Sequence, residues 1–227
     1  VTAGRIVLTA QDGIGVGIDA GSPLETRTSA LDITNAASGQ IEIRNSGAAS
    51  LALTQAGRGT VTVQNDQDLT VTRLQAPGSV VDLASGSGSV TFAPGAAAGS
   101  EAAPLGSLEI DAAAIVLDDV YTIGGQTYTV TADGGGRVTL NGTYATFGGA
   151  DTVYGGAPDF TIDGPTSLAG ATTVRTAGAG EGESGDIRFG GTIDGPGSLS
   201  IDSGEGTVTL DSAVGATTPL AALTVDA

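Results

Sequence analysis

From Leu31 onward, apolar and polar residues alternate in short bursts that recur about every ten positions. LDI at 31–33, IEI at 41–43, LAL at 51–53 and VTV at 61–63 open the series. LTV at 69–71, VDL at 81–83 and VTF at 90–92 continue it with small slips. Period-two alternation marks a strand with one buried face, so Leu31 and Ile33 share a face and Asp32 takes the other. Between the bursts lie turn-formers: NAASGQ, RNSGAAS, TQAGRGT and ASGSGS. Hairpins prefer two-residue loops between longer strands. Here strands and connections are about equally long. Two ten-residue steps make one coil of about 20 residues, the length expected of a parallel β-helix (β-solenoid). Stacked coils would line a narrow bore with ladders of Leu, Ile and Val.

Longer echoes support stacking. APLGSLEIDA at 103–112 returns as TPLAALTVDA at 218–227, an offset near six coils. TIDGPTSL at 161–168 returns as TIDGPGSL at 192–199. The pattern predicts one all-β segment over 1–227, less regular across 118–160. All four tyrosines, Tyr121, Tyr128, Tyr144 and Tyr154, lie in that middle. VYTIGGQTYTV at 120–130 reads locally as a hairpin with a Gly-Gly turn. The tyrosines then have two readings: a partner-binding surface, or covers for the ends of ladders in wider coils. No long helix is expected, because glycine, proline and β-branching interrupt AAAGSEAAPLG and DAAAIVLDD.

Composition narrows the chemistry. Glycine reaches 38 residues while aromatics are 4%, which suits a turn-dense structure around a narrow core. There are 25 acids against 8 bases, for a net charge of -17. Nucleic acid and anionic membrane demand clustered bases, so neither is an expected partner. Cys, His, Met, Trp and Lys are all absent. That removes thiol and Schiff-base nucleophiles, imidazole bases, disulfides and the usual zinc, copper and haem sites. Paired carboxylates remain, yet no local motif couples them to a basic partner, and no enzyme is expected. No run approaches the length of a membrane-spanning helix. No signal peptide is visible, and both ends read as cuts within a longer chain.

One stretch invites a metal reading. FGGADTVYGGAPDFTIDGP at 147–165 looks like the calcium-binding nonapeptide repeat of β-rolls. With Asp151 at the aspartate position, Val153 falls on the apolar one. The leading glycine pair should then be residues 146–147, but these are Thr and Phe. After Gly155–Gly156 the next aspartate should be residue 160, which is Phe160. The expectation is therefore no cofactor and no metal site, with adventitious Ca²⁺ at most. Asp66/Asp68, Asp118–Asp119 and Glu181/Glu183/Asp186 are the acid groups concerned; the plain reading gives them to solvated turns. Thr-x-Thr at 60–62, 70–72 and 127–131 does not persist as a rank, since Asp82 and Thr91 interrupt it. Asn141-Gly142-Thr143 is a lone glycosylation sequon.

GRIVLTAQDGIG (4–15), LDITNAASGQIEIRNSGAASLAL (31–53) and GDIRFGGTIDGPGSLSIDSGEGTVTLDSAVGATTPLAALTV (185–225) resemble repeats of giant bacterial surface proteins. These are the filamentous-haemagglutinin-like and autotransporter adhesins. The resemblance covers most of the chain and implies a right-handed parallel β-helical shaft, export to the bacterial cell surface and a role in attachment. The expected function is a structural shaft segment of a secreted adhesin or fibre, serving adhesion, biofilm or matrix. The alternative is a glycan- or protein-binding β-helix module that uses Tyr121, Tyr128, Tyr144 and Tyr154. Expected partners are neighbouring coils of the same chain, then glycan, a host or matrix protein, or shafts associating side by side.

Overall fold

The computed structural model describes residues 1–15, 22–131, 135–148, 158–176 and 184–227. It is an all-β solenoid of about eight turns. Two parallel sheets run side by side along the chain, one of twelve strands and one of ten. The chain visits them alternately for most of its length. Ala30–Asn35, Ala49–Gln55 and Leu69–Gln75 belong to the first sheet, while Gln40–Asn45, Thr60–Asn65 and Val80–Ser85 belong to the second. Each strand therefore pairs with the strand one coil away, not with its neighbour in sequence.

Register explains the decimal rhythm. Leu31 lies beside Leu51 and Leu51 beside Val71, while Ile41 lies beside Val61 and Val61 beside Val81. These are 20-residue coils, as the alternation predicts. Elsewhere the step varies, being shorter between Leu108 and Gln126 and much longer between Gln126 and Phe160, and the mean is about 24 residues. The extra residues leave the two sheets as excursions. One runs from the strand Ser89–Phe92 to the strand Ser107–Ala112. Within it Ala98 still bridges Leu74 and Val120, so the excursion adds a short side to the coil.

The core is the inward half of the alternations, except at the last strand, Ala222–Asp226, where Leu223 and Val225 are exposed. Leu31, Ile33, Ile41, Ile43, Leu51, Leu53, Val61 and Val63 are all buried. So are Leu69, Val71, Val81, Leu83 and Val90. Each buried aliphatic side chain contributes about 1.5–3 kcal/mol, and stacking keeps every ladder continuous.

Polar residues close the corners. Asn35, Asn45, Gln55 and Asn65 stand at the ends of four successive strands, Ser85 ends the strand Val80–Ser85, and all five are buried. Asn45 Nδ2 donates to Asn65 Oδ1 at 2.8 Å and to the carbonyls of Thr28 and Gly47. Asn65 Nδ2 donates to the carbonyls of Gln67 and Asp68. On the other corner Gln55 Nε2 donates to Ser79 Oγ and to the carbonyl of Gly39. Corners leave backbone groups outside the sheet ladders, and these amides satisfy them where water cannot reach. Further along, hydroxyls take over the task. Thr122, Thr146, Thr176 and Ser203 donate to the carbonyls of Gly124, Pro158, Gly185 and Gly206.

Three readings of the sequence change here. VYTIGGQTYTV is not a hairpin. Val120–Thr122 joins the first sheet beside Tyr144–Thr146, whereas Gln126–Val130 joins the second between Leu108–Ala112 and Phe160–Asp163. Gly124–Gly125 is a corner whose amide reaches the corner below, Gly124 N–H donating to Gly106 O at 2.7 Å. A hairpin would forfeit those parallel neighbours on both sides. The 103–112 and 218–227 echoes are not stacked equivalents either. Leu108 and Ile110 lie in the second sheet, but Leu223 and Val225 lie in the first. The TIDGP pair also differs in place: Thr161–Asp163 sits in the second sheet, whereas Ile193–Asp194 pairs with Thr166–Ser167 in the first.

Candidate functional site

The tyrosines divide sharply. Tyr128 and Tyr144 are fully buried and belong to the core. Their rings pack edge-on against Phe160, with centroids 5.7 and 5.9 Å away, and Phe160 meets Phe189 at 5.7 Å. Tyr128 Oη donates to Gln126 Oε1 at 3.0 Å, and Tyr144 Oη donates to Leu117 O at 3.2 Å. Burial pushes both phenols well above their ordinary value. Neither presents surface to a partner. Tyr121 points outward and is half-buried, stacked on Phe147 with near-parallel rings 6.5 Å apart. Burial, then the charges of Asp119 and Glu101, raises its phenol. Tyr154 and the Asp151, Val153 and Gly155–Gly156 of the β-roll reading lie outside the described residues. Phe160, where that motif wants an aspartate, is a core ring.

The acids have a positional job. Asp68 Oδ1 accepts from Ser89 N–H at 2.8 Å and from Ser89 Oγ at 2.9 Å. The Ser89 amide and then its hydroxyl hold this carboxyl below its ordinary value. Asp118 Oδ2 accepts from Gly95 N–H, and Asp119 Oδ1 from Thr143 N–H, both at 2.7 Å. Asp159 Oδ1 accepts from Asp186 N–H, and Asp186 Oδ1 in turn accepts from Thr207 N–H. Each carboxylate thus ties its corner to another coil. Glu181 and Glu183 lie outside the described residues. Among the described residues no group of three or more acids is arranged to hold a metal ion.

The outward faces carry charge in columns. Arg188 bridges Asp163 at 2.6 Å and Asp211 at 2.8 Å across three coils. Asp32 receives Arg5 at 2.6 Å and Arg73 at 3.4 Å. Such exposed pairs each contribute at most about 1 kcal/mol. On the second sheet Asp82 sits directly beside Glu109, and Ala84 beside Asp111. Burial first, then Glu109 and Asp111, raises the Asp82 carboxyl. Asn141 of the sequon is exposed on the strand Val138–Thr146.

Two clefts of about 340 Å³ open at the corners. One lies beneath the 93–106 excursion, between Thr54, Gln75, Pro77 and Ser100, and its lining holds no charged residue. The other spans the corners around Arg137, Ser167 and Asp194. No helix among the described residues is long and apolar enough to cross a membrane.

No protein-family model, curated protein or solved structure matches this chain.

Proposed function

We propose that this chain is a structural shaft segment of a secreted bacterial surface fibre or adhesin, carrying binding elements away from the cell rather than catalysing a reaction. The observation that supports this reading is the continuity of the two sheets. Ten strands of the first sheet follow one another in a single parallel order. At about 4.8 Å per strand the stack extends roughly 43 Å, and every coil reinforces the next. Carboxylate ties and buried amide ladders add rigidity. The net charge of -17 keeps shafts apart at low salt. Resemblance to filamentous-haemagglutinin-like repeats supports the surface location.

Immunogold labelling of producing cells with antibodies against this chain tests the reading. Label is expected on the outer surface and on material extending from it. Label confined to the cell interior would sink the proposal.

A further inference from the structure

We infer that the cleft around Arg137 and Asp194 binds a neutral saccharide unit. The inference goes beyond the shaft reading, since a shaft needs no ligand. The cleft collects one cation, one anion and five hydroxyl residues from separate corners of the solenoid. Arg137 precedes the strand Val138–Thr146, Thr166 and Ser167 open the strand Thr166–Arg175, and Thr217 and Thr218 come from the corner before Ala222–Asp226.

This wall is built, not incidental. Asp194 Oδ1 accepts from Thr217 N–H at 2.7 Å and from Thr218 N–H at 3.1 Å, which fixes the threonine corner. Gly195 N–H donates back to Thr218 O at 3.1 Å. Gly195 has φ +124°, and a Cβ there would meet Leu168 O at 2.5 Å, so only glycine permits this bend. Thr166 itself alternates inward with Leu168, beside the buried Val138 and Ile193, so the cleft's free hydroxyls come from its neighbours.

The chemistry selects the ligand class. A guanidinium offers paired donors and the second oxygen of Asp194 an acceptor, which together suit adjacent sugar hydroxyls. Ser167, Thr217 and Thr218 offer hydroxyls that donate or accept. No aromatic or large apolar side chain lines the cleft, so an apolar ligand gains little. The chain's net charge of -17 disfavours an anion. The volume of about 340 Å³ lies at the small end of ligand clefts and fits a single sugar unit.

The test is an amide NMR titration of the intact chain with glucose, galactose, mannose and N-acetylglucosamine, and with glucuronate as the anionic comparison. Saturable millimolar shifts are expected for at least one neutral sugar, centred on the amides of Gly195, Thr217 and Thr218. Arg137→Ala should weaken that binding about tenfold or more, while Arg5→Ala, far along the stack, leaves it unchanged. Unaltered spectra elsewhere in Arg137→Ala will show that the variant is folded. Absence of saturable shifts with every neutral sugar, shifts centred elsewhere, indifference to Arg137→Ala, or tighter binding of glucuronate would each overturn the inference. None of those outcomes bears on the shaft reading, which rests on the sheets and the cell-surface location.

Discussion

The stack between Ala30 and Ser85 and the section between Leu108 and Phe189 use the same two sheets but fill them differently. The first repeats every 20 residues, with aliphatic ladders and amide-closed corners. The second steps irregularly, from Leu108 to Gln126 and then to Phe160, and fills its bore with Tyr128, Tyr144, Phe160 and Phe189. A longer coil must either enclose more volume or send chain outward. Here rings fill the volume. The two sections also differ at their corners. Buried amides close four strand ends of the regular stack, at Asn35, Asn45, Gln55 and Asn65, whereas single hydroxyls at Thr122, Thr146 and Thr176 reach the corner carbonyls of the irregular one.

The largest effect should come from the ring that joins the aromatic cluster. Phe160→Ala is expected to cost about 3–5 kcal/mol, since Phe160 contacts three other rings and the cavity cannot collapse around them. Leu53→Ala, in the regular stack, falls in the range of about 2–5 kcal/mol. Denaturant midpoints of the two variants decide the matter. A smaller loss for Phe160→Ala than for Leu53→Ala would break the claim that the rings hold the wide section together.

Corner amides come next. Asn65→Ala removes the acceptor of Asn45 and the donor to two carbonyls, and should cost about 1–3 kcal/mol. Tyr128→Phe removes one hydroxyl that donates to Gln126 and should cost about 1 kcal/mol. Equal losses in the two variants would contradict a special role for corner amides in the regular coils.

The smallest effect is electrostatic. The folded state raises the Asp82 carboxyl, so its ionisation opposes folding at neutral pH. That penalty is full above the raised value and fades as pH falls toward the ordinary carboxylate range. Asp82→Asn should therefore stabilise the chain at neutral pH by less than about 1 kcal/mol, given the site's partial exposure, and the gain should shrink in mild acid. Asp68 runs the opposite way: its carboxyl is lowered, so its contribution is present above the ordinary value and lost as pH falls below it. Urea titrations across pH on Asp82→Asn and Asp68→Asn check both signs.

Much of the fold was legible in the alternation from Leu31 to Phe92, because a half-buried strand must alternate and a stacked one must keep its period. All the inward aliphatic residues quoted there are buried. The corner ladders were not read, although the signal was present: Asn35, Asn45, Gln55 and Asn65 recur at ten-residue steps, and Ser85 follows twenty residues after Asn65. A polar residue at a strand end resembles an ordinary turn residue until its partner one coil away is known. The hairpin reading of 120–130 misled for a related reason. A glycine pair between two strands fits a tight reversal and a solenoid corner equally, and only the neighbours above and below decide. Period two did contain the answer for Tyr128, which shares its face with the buried Gln126. The Arg137 cleft left no trace in the sequence, because its residues are brought together only by stacking.

The central claim is continuous parallel stacking, and one outward column tests it directly. Thr62, Asp82, Glu109, Thr127, Thr161, Arg188 and Thr209 lie side by side on successive strands of the second sheet. Spin labels at Thr62 and, in turn, at Thr161, Arg188 and Thr209 should give narrow distance distributions. At about 4.8 Å per strand, the backbone separations are about 19, 24 and 29 Å, rising by one strand spacing at each step. Distances that fail to rise in this order, or that shorten between any two steps, would contradict a parallel stack and with it the shaft.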